Sequence, residues 1–132
     1  MLLAMQNTNT RILCYYDARI GESCFGGMFN PLNYRPLPLY YVFRAYGELY
    51  ALGTQTLCSM EGSGIFALAA AGAGGERAVM LTNTGADTTV TLAGDAAALK
   101  TAYLVDETHA LTPVPVGGGR LILPKNQTVL LK

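Results

Sequence analysis

Carboxyl groups are the most numerous side chains in this sequence that could carry acid–base chemistry. The chain holds nine Asp and Glu residues and a single histidine, His109. Acid–base catalysis by carboxyl groups uses a pair whose environments give its two members different pKa values. Glu48 falls on the polar side of a predicted helix, and most other acids fall in glycine-rich turns, where carboxylates are usually solvated. Only Asp17 ends a predicted buried strand, so the sequence predicts no catalytic pair within this chain.

The sequence also shows no pattern typical of a nucleophilic catalytic site or of a metal site. His109 falls in a predicted turn, and no Gly-x-Ser-x-Gly motif accompanies it. The cysteines Cys14, Cys24 and Cys58 are irregularly spaced, without a Cys-x-x-Cys pair, which matches no zinc pattern. We interpret them as reduced thiols, while a Cys14–Cys24 disulfide stays open for an exported chain. The sequence therefore predicts no metal site and no cofactor.

The best functional signal is a group of aromatic residues with polar neighbours. Aromatic faces can stack on sugar rings, and side chains such as Arg19 and Asn30 can bond to hydroxyl groups. For Asp17, an ion pair with Arg19 or a turn cap is favoured over a sugar contact. For Phe25 and Phe29, a sugar contact and a core position are equally open. The candidate substrate-binding residues are Tyr16, Asp17, Arg19, Phe25, Phe29 and Asn30, with Tyr34 and Tyr40 as further aromatic faces.

The composition is that of a globular domain without a strongly charged partner. The chain has 132 residues, of which 51% are hydrophobic and 14% charged, and nine basic residues balance nine acidic ones. This length fits one domain. No cluster of Lys and Arg is present, which argues against nucleic acid and against a membrane surface as partners. A neutral, polyhydroxylated ligand such as a sugar fits this balance, as does a chain without a ligand.

Composition also divides the chain into two pieces, residues 1–53 and residues 54–132. Seven of the eight tyrosines and three of the four phenylalanines precede Leu52, whereas the rest is rich in small and aliphatic residues. In the first piece, an apolar run at residues 11–17 predicts a buried strand, and the glycines and prolines of residues 21–38 predict a loop.

Residues 39–52 show the apolar periodicity of an amphipathic helix. Apolar side chains recur at spacings of three and four and form one stripe, while Pro38 fits a helix start and Gly53 a helix end. We predict a helix over this range, with Tyr46 and Tyr50 in the core. The stripe consists of Leu39, Val42, Phe43, Tyr46, Leu49 and Tyr50.

The sequence pattern of the second piece, residues 54–132, predicts a series of short strands. Apolar and β-branched runs are separated by turn signals every eight to twelve residues, the pattern of an antiparallel sandwich. The predicted strands are residues 65–71, 78–82, 88–92, 101–105, 110–114, 120–123 and 128–131, with an edge strand within residues 54–60. The expected fold is mostly β: an antiparallel β-sandwich of about seven or eight strands with one N-terminal α-helix.

Several strings of the sequence form a recognisable pattern. They are YYDAR at residues 15–19, GGMFNP at 26–31, PLPLYYVFRAYGEL at 36–49, VMLTNTG at 79–85, LILP at 121–124 and TVLL at 128–131. Together they resemble the last strand, loop and helix of clan-A TIM-barrel glycoside hydrolases, and the sandwich that follows the barrel in β-xylosidase-like families. The resemblance covers nearly the whole chain, and its motifs are structural rather than catalytic.

This resemblance implies the C-terminal accessory region of a glycoside hydrolase, non-catalytic alone. Such enzymes place an acid/base glutamate after an asparagine on strand four and a nucleophile on strand seven. The present chain holds no Asn-Glu pair and begins abruptly before the counterpart of strand eight. Both catalytic carboxylates are therefore expected upstream of Met1, in a barrel that is this region's partner in cis. Residues 16–30 are expected at the carboxyl end of that barrel, where active sites lie.

One strand and one helix cannot close a barrel, so the apolar stripe needs another cover. We expect it to pack on the sandwich, to form a homodimer through the face from Leu39 to Tyr50, or to stay exposed. As an alternative to self-association, we expect the predicted strand at residues 11–17 to pair with the sandwich as an additional strand. The rival function is a free-standing carbohydrate-binding or interaction module, and a small independent enzyme is a third. No signal peptide or membrane span is evident, so the location stays open.

Overall fold

The computed structural model describes residues 2–15 and 27–132. In chain order the elements are α1 (Leu2–Met5), α2 (Pro38–Tyr50), β1 (Thr54–Thr56), β2 (Ile65–Ala71), β3 (Arg77–Asn83), β4 (Thr88–Thr91), a 3₁₀ helix (Gly94–Ala98), β5 (Thr101–Val105), β6 (Ala110–Pro115), β7 (Arg120–Leu123) and β8 (Thr128–Leu131). Within these described residues, no helix is long and apolar enough to cross a membrane.

The strands form two antiparallel sheets. The larger sheet has six strands in the order β1-β2-β3-β8-β5-β6, and the smaller one pairs β4 with β7. The C-terminal strand β8 thus lies in the middle of the larger sheet, between β3 and β5. This arrangement confirms the predicted fold class, a mostly β, sandwich-like fold with one main helix.

Strand boundaries follow the turn residues of the sequence. Gly75 adopts φ 90° in the tight connection between β2 and β3, a conformation that side chains with a Cβ rarely adopt. In the smaller sheet Val90 is buried while Thr89 and Thr91 are exposed, which is the alternation of a strand with one wetted face. The 3₁₀ helix before β5 is an element that the sequence pattern does not predict.

One face of the larger sheet packs against the smaller sheet. The larger sheet contributes small and aliphatic side chains, and β4, β7 and the segment around the 3₁₀ helix contribute leucines and a valine. The buried members of this first core are Ala69, Val79, Leu81, Val90, Leu92, Leu99, Ala102, Leu121, Leu123, Val129 and Leu131. Burial of these side chains supplies the main hydrophobic stabilisation of the sandwich.

The opposite face of the larger sheet packs against helices α1 and α2. Helix α2 contacts β2, β3, β5, β6 and β8, and α1 contacts β2 and β3. The buried members of this second core are Leu3, Ala45, Leu49, Leu68, Ala70, Ala78, Met80 and Leu130. The central strands are therefore covered on both faces, which explains why β3 and β8 carry continuous apolar runs.

Helix α2 confirms the predicted helix but buries a narrower face than expected. Ala45 and Leu49 are buried, and Val42 and Tyr46 are packed against them. Tyr50, which we predicted in the core, is 77% exposed. One residue corresponds to about 100° of rotation around a helix, so Tyr50 lies on the flank of a face that is centred near Leu49. The small Ala45 brings the helix close to the sheet.

The predicted strand at residues 11–17 is wrong in its described part. Residues 11–15 form no strand, and Ile12 is 79% exposed; residues 16 and 17 lie outside the described residues. A strand requires a hydrogen-bonded neighbour, and none of the described strands pairs with this segment. The boundary between residues 53 and 54 and the homodimer through the face from Leu39 to Tyr50 stay predictions.

Replacement of Met80 by alanine tests the helix-facing core. Met80 is fully buried among the side chains under α2. Truncation of a buried methionine leaves a cavity, so we expect the free energy of unfolding to fall by about 2–5 kcal/mol in urea titrations. The matched control is Tyr50→Ala on the exposed flank of the helix, for which we expect a change within about 0.5 kcal/mol. Equal effects of the two substitutions would contradict the docking of α2 on this face.

Candidate functional sites

The predicted sugar-contact residues fall in and before the loop that leads into α2. Tyr16, Asp17, Arg19 and Phe25 lie outside the described residues. Phe29 and Asn30 lie in a short hairpin-like loop, in which Phe29 and Pro36 form an isolated β-bridge. For the set as a whole, a role in sugar binding stays a prediction.

Phe29 and Asn30 have structural roles within this loop. The ring of Phe29 lies 5.5 Å from that of Tyr40, a tilted contact that joins the loop to α2. The Asn30 Oδ1 atom accepts hydrogen bonds from the backbone N–H groups of Leu32 (2.9 Å) and Asn33 (3.3 Å). Asn30 therefore closes an Asx-type turn, and its side-chain oxygen is already in use.

Tyr34 is the most conspicuous side chain of the loop. Its backbone adopts φ 59°, which is uncommon for an aromatic residue, and its side chain is 64% exposed. The backbone N–H of Tyr34 donates to the carbonyl of Asn30, and the N–H of Asn30 donates to the carbonyl of Arg35. These bonds hold the unfavourable backbone conformation and present an aromatic ring to solvent.

Charged residues join the helix and the loops to the sheets. Glu48 on α2 pairs with Lys132 at the end of β8 and has its Oε1 atom 3.8 Å from Arg44 Nε. Asp95 in the 3₁₀ helix pairs with Arg77 on β3. Exposed pairs of this kind each contribute little to stability, about 0–1 kcal/mol.

The turn between β5 and β6 contains the one histidine of the chain, as predicted, in contact with a carboxylate. His109 Nδ1 lies 2.8 Å from both carboxylate oxygens of Asp106. Asp106 Oδ1 also accepts from the backbone N–H groups of Thr108 (2.7 Å) and His109 (2.9 Å), and Oδ2 accepts from Gln127 Nε2 (2.7 Å). Partial burial alone raises the pKa of Asp106, but the hydrogen bonds outweigh it and hold the pKa well below its usual range.

This cluster has the geometry of a structural turn rather than of a nucleophilic site. The hydroxyl nearest the imidazole, Thr108 Oγ1, lies 3.0 Å from His109 Nδ1, and the same nitrogen faces Asp106. A base must offer an unprotonated nitrogen to the hydroxyl, but a nitrogen that donates to Asp106 carries a proton. The Asp106–His109 pair therefore orients the hairpin tip, and Gln127 attaches that tip to β8.

A buried amide network at the end of β3 is a feature that the sequence reasoning missed; it adjoins the Asp106 turn, because the backbone N–H of Asn83 donates to the carbonyl of Gln127 (3.0 Å). Asn83 is 1% exposed; its Nδ2 atom donates to the carbonyls of Ala86 (2.8 Å) and Leu123 (2.9 Å), and its Oδ1 atom accepts from Gly85 N–H (2.8 Å). The Asn-Thr-Gly string by itself indicates only a turn. The contact of Asn83 with Leu123, forty positions away in sequence, depends on sheet pairing, which no local pattern reveals.

A cavity of about 520 Å³ lies between the two sheets. Its walls come from the loop after β1, from β2, β3 and β4, and from the segment around the 3₁₀ helix. Arg77 and Asp95, which form an ion pair, stand at its solvent-facing side. The apolar lining side chains are Leu57, Cys58, Met60, Ala69, Val79, Leu81, Val90, Leu92, Ala96 and Leu99.

The cysteines and the other possible metal ligands of the described residues are scattered. Among residues 2–15 and 27–132, no three His, Cys, Asp or Glu side chains are grouped so that they could hold an ion. Cys58 lines the cavity between the sheets, where burial raises the pKa of its thiol. Cys24 lies outside the described residues, so the Cys14–Cys24 disulfide stays an open alternative.

Comparisons with known proteins give likenesses among solved structures alone. No protein-family model and no curated protein matches the chain. Among solved structures, the catalytic domain of the GH30 xylanase C from Talaromyces cellulolyticus is similar to 58% of this chain, with 25% identity and a TM-score of 0.48. The match spans 19% of that xylanase domain, so the present chain corresponds to a small part of its length. This likeness assigns no family to the chain.

Replacement of Asp106 by asparagine tests the hairpin network. The substitution removes charge-assisted hydrogen bonds, so we expect unfolding at pH 7 to require about 1–3 kcal/mol less free energy. Because folding lowers the pKa of Asp106, its contribution is present above the unfolded value of about 4 and is lost as the pH falls toward the folded value. The difference between wild type and variant should therefore shrink below about pH 4 in urea titrations.

The control for this substitution is Glu107→Gln at the same hairpin tip. Glu107 is an exposed carboxylate directly after Asp106. Its replacement by glutamine changes the net charge by the same amount but leaves the hydrogen bonds to Asp106 in place. We therefore expect the free energy of unfolding to change by no more than about 0.5 kcal/mol at pH 7. A D106N effect that equals that of E107Q would contradict the structural role of Asp106.

Proposed function

We propose that this chain is a non-catalytic structural region that follows the catalytic barrel of a glycoside hydrolase. The support is the resemblance of its sequence motifs to the last barrel strand, loop and helix of such enzymes and to the sandwich after them. The observation that carries the proposal is the way the two pieces pack. The barrel-type helix α2 buries Ala45 and Leu49 on the larger sheet, so helix and sandwich share one hydrophobic core.

The other side of α2 offers the surface for the barrel in this proposal. Tyr40, Tyr41 and Phe43 lie outside the core that α2 shares with the sheet. Tyr40 and Tyr41 are in edge contact at 5.3 Å, and Phe43 is in edge contact with Tyr15 at 5.7 Å. Aromatic side chains bury much apolar area and pack in such geometries, which suits a contact between domains. In this proposal α2 lies between the two domains: one side of the helix packs on the sandwich, and the other side contacts the barrel.

A carbohydrate-binding module is the second candidate, and Tyr34 favours it. An exposed ring held in a costly backbone conformation is typical of a residue kept for recognition. Tyr34 is 64% exposed at φ 59°, next to the polar residues Asn33 and Arg35. Under this second candidate the loop between Phe29 and Pro36 stacks on a sugar without help from a barrel.

Two measurements test the structural proposal together. The reading frame upstream of the Met1 codon is sequenced, and we expect an open frame for further strand–helix units that include an Asn-Glu pair. The purified chain is assayed with p-nitrophenyl xyloside and glucoside, and we expect no turnover above the buffer rate. Turnover that is lost in the Asp17→Asn variant would contradict the proposal and support a small independent enzyme.

A glycan titration separates the second candidate from the first. The chain has no tryptophan and eight tyrosines, so tyrosine fluorescence is followed as soluble xylo-oligosaccharides are added. The structural proposal expects no saturable change for the chain alone. Saturable binding that Tyr34→Ala abolishes, and that the matched control Tyr50→Ala retains, would favour the carbohydrate-binding module instead.

A further inference from the structure

The cavity between the sheets has the size of a ligand site. Its volume is about 520 Å³, and pockets for small molecules usually measure about 300–1,000 Å³. Leu57, Arg77 and Asp95 in its wall are exposed, so the space is a cleft that opens to solvent and that a molecule can enter directly.

Small side chains and an incomplete second sheet create the space. On β2, Ala67 and Ala69 face the smaller sheet, and Ala71 lines the cavity at the end of the strand. The smaller sheet has two strands whereas the larger one has six. The inner face around β2 and β3 is therefore closed by Met60 and Cys58 from the loop after β1 and by the segment around the 3₁₀ helix, which leave the cavity between them.

The chemistry of the walls selects an apolar, uncharged molecule. The lining is mostly aliphatic, and Arg77 and Asp95 neutralise each other at the solvent-facing side. The pair gives this side of the cavity no net charge, so the site does not favour an ionic ligand of either sign. Burial raises the pKa of Cys58, which agrees with a lining of low polarity around that thiol.

Water is a poor occupant of such a space. At about 30 Å³ for each molecule, the cavity has room for roughly seventeen waters. Aliphatic walls offer these waters few hydrogen bonds, so an apolar molecule that displaces them gains affinity. We propose that the cavity between the two sheets binds a small, uncharged, largely apolar molecule that enters beside Arg77 and Asp95. This site is independent of the proposed role beside a catalytic barrel.

A neutral fluorescent dye and a pair of adjacent alanines test the site. Ala96 lines the cavity, whereas Ala97 is the next residue of the same 3₁₀ helix, is exposed and does not line it. The wild-type chain and the variants Ala96→Leu and Ala97→Leu are titrated with N-phenyl-1-naphthylamine, and circular dichroism checks that each variant is folded. We expect saturable binding to wild type, about tenfold weaker binding to A96L and a change within about twofold for A97L.

Thiol labelling of the wild-type chain gives a second readout that does not depend on the fold of a variant. N-ethylmaleimide labelling is followed with and without saturating dye, and peptide mass mapping assigns the rate to each cysteine. Bound dye should slow labelling of Cys58, which lines the cavity, and leave that of the exposed Cys14 unchanged. Absence of saturable dye binding, equal affinities of A96L and A97L, or a Cys58 rate that the dye does not change would each overturn the proposal.

Discussion

The larger sheet must be covered on both faces, and the rest of the structure depends on this requirement. Side chains alternate along β3 and β8, so Val79 and Leu81 face one layer while Met80 faces the other. Leu130 on β8 is fully buried on the same side as Met80. Because the strands carry apolar residues on both faces, exposure of either one would leave a large apolar surface in water. The smaller sheet covers one face and α2 covers the other.

The two covers differ in how completely they close the sheet. Helix α2 lies across strands β2, β3, β5, β6 and β8, and the small Ala45 allows a close approach. The two strands of the smaller sheet cover less, so loops and the 3₁₀ helix complete the first core and a cavity remains. Buried hydrogen bonds from Asn83 and the contact between Gln127 and Asp106 fix the edges of these layers. An asymmetric sandwich with a packed side and an open side is the result.

The strands and the main helix could be predicted because their signals are local. Turn residues bound β2, β5, β7 and β8 at the predicted positions, and the spacing of apolar residues locates α2. The core position predicted for Tyr50 is wrong because the apolar stripe of the helix is wider than the face that the sheet covers. The strand at residues 11–17 fails in its described part because pairing depends on a neighbour that the local sequence does not reveal.

The candidate sites were less predictable because they depend on distant contacts. Asn30 has the residue type of a sugar ligand, but its side-chain oxygen closes a turn, a role that its place before Pro31 allows. The cavity arises where β2, β4 and the 3₁₀ helix meet, and neither the apolar spacing nor the turn residues of the sequence indicate that 3₁₀ helix. Asn83 carries a signal of another kind: a polar residue at the end of a buried strand and before a glycine turn is a candidate for a buried amide network.

The central claim is that α2 is an integral layer of this fold, and native-state hydrogen exchange tests it most directly. In the chain as it stands, the backbone amides of α2 should exchange as slowly as those of β3 and β8, because all three share the core of Leu49, Met80 and Leu130. Protection of α2 comparable with that of the central strands is the predicted result. Exchange of α2 at the rate of a free helical peptide, with β3 and β8 still protected, would contradict the account.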